Sequence, residues 1–138
     1  MRPGTRPSWL ARLTRRQRGQ ALVEAPVAFL LLLIAAVAIL QFALWMHARG
    51  VVLAAVQDGA RVASGETGRL PDGVATAQAL LRVGLGSNAS LVTIGADEDA
   101  AAVHFTADGR LPALLPWGPV TTLPLHASAS MARDQFRP

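Results

Sequence analysis

The chain alternates between three hydrophobic rhythms, each predicting a different element. From Ala25 to Met46 there are 22 residues without an ionisable side chain, and Gln41 is the one strongly polar residue among them. At about 1.5 Å per residue a helix of that length reaches roughly 33 Å, against a hydrocarbon core of about 30 Å. A helix buried in a soluble core would keep a polar stripe, and this stretch has none, so the pattern predicts one transmembrane helix. Beyond His47 the rhythm becomes amphipathic. Val52, Ala55, Val56, Gly59 and Val62 recur at helical spacing on one side, while Gln57, Asp58 and Arg61 group on the other, with Asp58 and Arg61 at i, i+3. The helix is therefore expected to continue as a stalk to about Ser64, roughly 67 Å from Gln20 at the helical rise. Its apolar side either packs on the chain's own head or meets neighbouring subunits.

Gly65, Gly68, Pro71 and Gly73 predict a break, with Asp72 as N-cap of a second, short helix. Val74, Ala77, Leu80 and Leu81 carry that helix to an end near Gly84 or Gly86. The period then falls to two. Leu91 to Ile94 predicts a strand, Asp97-Glu98-Asp99 an acidic turn, and Ala101 to Thr106 a second strand with Val103 and Phe105 opposite His104 and Thr106. The longest alternation is the last. Leu123, Leu125, Ala127, Ala129 and Met131 interleave with Thr122, Pro124, His126, Ser128 and Ser130, which predicts a half-buried strand. Pro124 cannot donate to a ladder, so this strand belongs at a sheet edge. The proline-rich stretch from Leu111 to Pro119 is expected to be irregular and to cover the small sheet; contact with the membrane surface or with a partner are its other two readings. The predicted fold class is α+β: a long N-terminal transmembrane helix continuing as a stalk, then a short helix and a small antiparallel sheet. The expected divisions are a basic leader over 1–19, helix and stalk over 20–64 with the span at about 25–46, and an exported head over 65–138.

Charge changes the picture in one respect. Of the 13 arginines, six (Arg2, Arg6, Arg12, Arg15, Arg16, Arg18) fall in residues 1–19, which contain no acid; the remaining seven face nine acids. The pI of about 11.5 thus belongs to a short leader, and no basic surface is left to hold phosphates, so no nucleic acid is expected as partner. Arginine on one flank of an apolar span keeps that flank cytoplasmic, and the nearly neutral sequence after His47 does not oppose export. The expected location is the cell membrane, single-pass, with the N-terminus cytoplasmic and the C-terminal domain extracytoplasmic. The chain has no cysteine, which excludes disulfides, thiol catalysis and cysteine-type zinc sites.

The junction before the span distinguishes kinds of N-terminal signal. An ordinary secretory signal has a shorter apolar region and a small-residue cleavage site, and His47-Ala48-Arg49-Gly50 matches such a site poorly. Here Arg15-Arg16-Gln17-Arg18-Gly19-Gln20-Ala21-Leu22-Val23-Glu24 runs directly into the span. A carboxylate at the membrane border is either a favourable charge in the first helical turn or, being costly in hydrocarbon alone, a functional group. The arrangement resembles the type IV pilins. That resemblance implies cleavage after Gly19 by a prepilin peptidase, a new N-terminus at Gln20, and Glu24 as the fifth mature residue, where its carboxylate pairs with a neighbouring subunit's amine and sets the register of assembly. Pro26, at the seventh mature position, departs from an uninterrupted helix by leaving the carbonyl of Leu22 without its donor. With Gln20-Ala-Leu-Val-Glu24, the span, Asp58-Gly59-Ala60-Arg61-Val62-Ala63 and the closing strand Ala127 to Arg133 taken together, the chain is similar to the TadE-like proteins, minor pseudopilins of tight-adherence pilus systems. The resemblance implies membrane lipid, a prepilin peptidase, other pilin or pseudopilin subunits and the pilus assembly machinery as partners. Gly59, Ala60 and Arg61 are its family-motif residues, and it implies no catalysis.

Enzymatic chemistry finds little support in the residues. His47, His104 and His126 have no companion at metal-ligand spacing, the acidic triplet lacks the spacing of a calcium loop, and Gly84 and Gly86 follow no strand. Asn88-Ala89-Ser90 matches a glycosylation acceptor by letter alone. No cofactor and no enzyme activity are expected. Two readings remain: a minor pseudopilin taking part in pilus assembly, or an uncleaved bitopic protein that displays a small extracytoplasmic binding domain.

Overall fold

The computed structural model describes the backbone over residues 8–117 and 120–133 and the side chains over 24–114 and 121–133. Residues 1–7 of the basic leader lie outside the described residues. The chain divides into two compact units, residues 1–39 and 40–138. The first helix, α1 (Ser8–Ser64), begins within the basic leader and continues through Pro26. In the first unit its described large apolar residues are mostly exposed: Phe29 and Leu32 are each 69% exposed. Residues Glu24–Ser64 contain the one helix among those described that is long and apolar enough to cross a membrane, with none of its most apolar window buried in protein. A helix left bare on this scale suggests single-pass anchoring in a membrane.

The second unit holds the core. Its part of α1 is followed by α2 (Leu70–Leu85), a short 3₁₀ segment (Gly86–Leu91), and three strands: β1 (Val92–Glu98), β2 (Ala102–Trp117) and β3 (Val120–Ala132). The strands form an antiparallel meander in the order β1-β2-β3. The expected α+β class is what the chain adopts.

Several predicted elements move. Asp72 does not cap α2. Arg69 occupies the N-cap position without a side-chain hydrogen bond, Pro71 is in the first turn where a missing N–H is harmless, and Asp72 lies inside that turn, where the helix dipole favours an acid. The helix ends at Gly86, whose φ of +57° is open to a residue without Cβ, and the Gly86 N–H donates to the Arg82 carbonyl. Leu91 belongs to the 3₁₀ segment, so the first strand starts at Val92 and runs on to Glu98. Of the acidic triplet only Asp99 is in the turn, because Asp97 and Glu98 pair with His104 and Val103 of β2.

The larger correction concerns Leu111 to Pro119. The stretch was expected to be irregular, yet β2 continues to Trp117, paired with β3 through Pro112↔Thr122 and, after a register shift, Trp117↔Val120. The prolines are tolerated because β1 begins only at Val92, opposite Gly109, and pairs with no later residue of β2. Past that point β2 has, among the described residues, a neighbouring strand on one side only, and a residue without N–H can face the open edge. β3 has a single neighbour throughout, which accommodates Pro124 as anticipated. The alternation along β3 is also as expected: Leu125 and Ala127 are buried, and Thr122, Pro124, His126, Ser128 and Ser130 are exposed.

The two helices and the inner face of the sheet enclose one small core. Val52, Ala55, Val56 and Ala60 of α1 and Ala77 of α2 are 0–1% exposed, as are Val103 and Phe105 of β2. The stalk therefore packs on its own head. Its stripe is rotated from the expected one: Val62 remains 39% exposed, and Ala60 and Ala63 take its place in the core.

Candidate assembly site and helix crossing

The residues singled out in the sequence occupy two places in α1. Gly19 and Gln20 lie in its helical backbone, while their surroundings fall outside the described residues. Glu24 stands at the start of the apolar run, exposed, and has no ion-pair partner among the described residues. A carboxylate next to 22 uncharged residues can be accommodated at the membrane border or by a cation brought from outside the chain.

Gly59 and Ala60 lie at the crossing of α1 and α2. A Cβ at Gly59 would stand 2.9 Å from the Gly73 carbonyl oxygen, 3.0 Å from Ala77 Cβ and 3.0 Å from Phe105 Cε1. A Cβ at Gly73 would collide with the Gly59 carbonyl oxygen, and one at Gly84 with the Val51 side chain. The helices thus run antiparallel in close contact, with glycine facing glycine and the Phe105 ring closing the crossing from the sheet. Arg61 points the other way. Its guanidinium lies 3.4 Å from Asp58, as the i, i+3 spacing implied, with its side chain 71% exposed. Two of the three motif residues therefore build the core, and the third is presented to the surroundings.

Sequence reasoning treated Gly73 and Gly84 as punctuation. The structure places both inside α2, as the small positions that let the helices approach. The available signal was their spacing with Ala77, which puts small residues along one face. Trp45 was also missed: its indole Nε1–H donates to the Pro124 carbonyl at 3.1 Å and joins α1 to the β3 edge. Arg49 lies over the Trp45 ring at 5.7 Å.

The outer face of the sheet carries two exposed histidine–carboxylate pairs. His126 Nδ1 is 2.6 Å from Asp108, and His104 Nε2 is 3.2 Å from Asp99. Asp99 also accepts the backbone N–H groups of Ala101 (2.8 Å) and Ala102 (2.7 Å). These two backbone donors, and then His104, hold its carboxyl below the ordinary carboxylate range. This arrangement closes the β1–β2 turn. All four side chains are about half exposed or more.

Fold and geometry together define a class: one membrane-length helix among the described residues, which continues into a small α+β head and carries at the start of its apolar run an acid with no ion-pair partner among the described residues. The family described as TadE-like protein is the more particular finding, since its model matches residues 19–61. The match opens on Gly19, includes Glu24 and the apolar run, and closes on Arg61; the rest of the head lies outside it. No curated protein and no solved structure matches the chain. The TadE-like segment suggests a protein associated with tight-adherence pili, a family of structural pilus components.

Proposed function

We propose that this protein is a minor pseudopilin that takes part in assembling a tight-adherence pilus, after a prepilin peptidase removes residues 1–19. The observation that carries this reading is the extent of the TadE-like match, bounded by Gly19 at one end and the Gly59-Ala60-Arg61 element at the other. The arginine-rich leader supports a cytoplasmic N-terminus, and therefore an extracytoplasmic head. Cleavage before Gln20 frees an ammonium group, and Glu24 lies one helical turn away. In a bundle of such helices the amine of one subunit and the Glu24 carboxylate of another neutralise each other, and in lipid the penalty for leaving either unpaired selects one register. The exposed position of Glu24 leaves it available for that contact. In this reading the head is the surface offered to other pilin subunits and to the assembly machinery, and Arg61 is the motif residue free to meet them.

The test is the N-terminus and intact mass of the protein extracted from membranes of its own host, with and without an active prepilin peptidase. A chain that begins at Gln20 only when the peptidase is active is expected, together with loss of pili in a Glu24→Ala strain that still inserts the protein. A chain that retains residues 1–19 beside an active peptidase sinks the pseudopilin reading and leaves the uncleaved bitopic protein.

A further inference from the structure

We propose that the paired stretch of β2 and β3 around Leu111, Leu114 and Leu123 is a second membrane contact, whose apolar residues lie in the headgroup–acyl border of the bilayer and seat the head on the lipid surface. The proposal rests on the apolar run of α1 being the membrane span.

Three observations carry it. The first is depth. At one end of the head, Ser64 Oγ lies 4.0 Å from Met131 Sδ; at the other, Trp45 donates to the Pro124 carbonyl. Moving back along β3 from Met131 to Pro124 is therefore moving along α1 from Ser64 toward the span, and Leu123 and Thr122 follow Pro124 along the same strand. Trp45, with Arg49 over its ring, marks the interface, because tryptophan and arginine settle at headgroup level. The β2 and β3 residues paired past Pro124, Leu111↔Leu123 and Pro112↔Thr122, continue from that level toward the lipid side.

The second observation is chemistry. From Leu111 to Leu125 the chain has no ionisable side chain; Arg110 and His126 bound the stretch on the side of the head. A hairpin extending past its third strand into water would ordinarily be polar on its open face. Here Leu114 is 56% exposed. Leu111, Leu114 and Leu123 also form one wall of an open cleft of about 270 Å³ whose other wall includes Leu44, Trp45 and Ala48 of α1, so the apolar surface is continuous with the end of the apolar run.

The third observation limits the depth. Beyond Gly109 one edge of β2 has no strand beside it among the described residues. Unpaired backbone groups are not tolerated in hydrocarbon, whereas headgroups and their water can satisfy them. Pro112 and Pro116 remove two N–H groups from this segment and so reduce the number that need partners. Apolar side chains with a partly open edge fit the interface and not the bilayer centre.

The chain has no cysteine, so a single one can be introduced and labelled. Full-length protein carrying Leu114→Cys, Ser128→Cys or Phe42→Cys, each with a nitroxide, is reconstituted into vesicles of phosphatidylcholine and phosphatidylglycerol. Collision rates with oxygen, which partitions into lipid, and with a water-soluble nickel complex are then measured. The oxygen-to-nickel ratio at Leu114 is expected to be several-fold above that at Ser128 on the outer sheet face, and below that at Phe42. A Leu114 label that matches Ser128 while Phe42 reads lipid overturns the proposal and leaves the span standing. A Phe42 label that reads water overturns the span, and the proposal with it. Spectral broadening at Leu114 that disappears on dilution with unlabelled chain assigns the surface to a second copy and also overturns the lipid contact. Should Leu114→Cys lose its far-UV circular dichroism, Thr122→Cys, exposed and paired with Pro112, is read by the same criteria.

Discussion

Replacing Gly73 by alanine and replacing Gly50 by alanine are the same change in chemical terms, made in two helices of one unit, yet they are expected to shift stability in opposite directions. Both glycines are helical, so each alanine gains up to about 1 kcal/mol of helix propensity. At Gly50, which is exposed, nothing lies within 4 Å of the added methyl group. The propensity gain should appear nearly whole, raising the melting temperature of a head this size by roughly 4–8 °C. At Gly73 the methyl group would lie 2.9 Å from Ala63 Cβ and 2.9 Å from Phe105 Cζ, and would collide with the Gly59 carbonyl oxygen. Overpacking usually costs about 1–3 kcal/mol. The upper part of that range applies here, because the obstructing atom is backbone and cannot rotate aside, so the whole crossing must open. Against the propensity gain the net is a loss of about 1–2 kcal/mol. Full-length protein in lipid nanodiscs, unfolded thermally and by urea and followed by circular dichroism, provides the comparison. Shifts of the same sign and size for the two variants would refute the glycine-on-glycine crossing as the reason the helices meet there.

Phe105→Ala removes the fully buried ring that closes the crossing and is expected to cost about 3–5 kcal/mol, close to the whole stability of a small domain, so the head should become protease-sensitive at ambient temperature. Arg61→Ala breaks an exposed pair and should change stability by no more than about 1 kcal/mol in the same unfolding assay, so a strong effect of this variant on piliation would locate the role of Arg61 in a partner contact. For Asp99, whose carboxyl is held below its ordinary value of 3.8 by the Ala101 and Ala102 N–H groups and by His104, the folded state favours the charged form. Its contribution is therefore in place above that value and fades as pH falls through the lower folded one, and Asp99→Asn should flatten this acid limb. A carboxyl titration by NMR with a midpoint at or above 3.8 would contradict the assignment.

What was readable in the sequence was set by local periodicity and by transfer free energy. The uncharged stretch from Ala25 to Met46 exceeds a bilayer's thickness whatever it packs against, and the five alternations of β3 turn one face inward in any sheet. The Gly19 to Glu24 junction and Gly59-Ala60-Arg61 could likewise be recognised as strings of residues. What the tertiary structure decided depends on which elements meet. Gly73 and Gly84 look like helix breakers until α1 lies against α2 and needs the space they leave. Leu111 to Trp117 has too many prolines for a central strand, and is a strand nonetheless because β1 begins only opposite Gly109 and leaves that edge of β2 open. The stalk had two possible partners for its apolar side, and helical spacing could not choose between them. The choice came from Phe105, distant in the chain, which fills the space between two glycines only when the helices have already crossed.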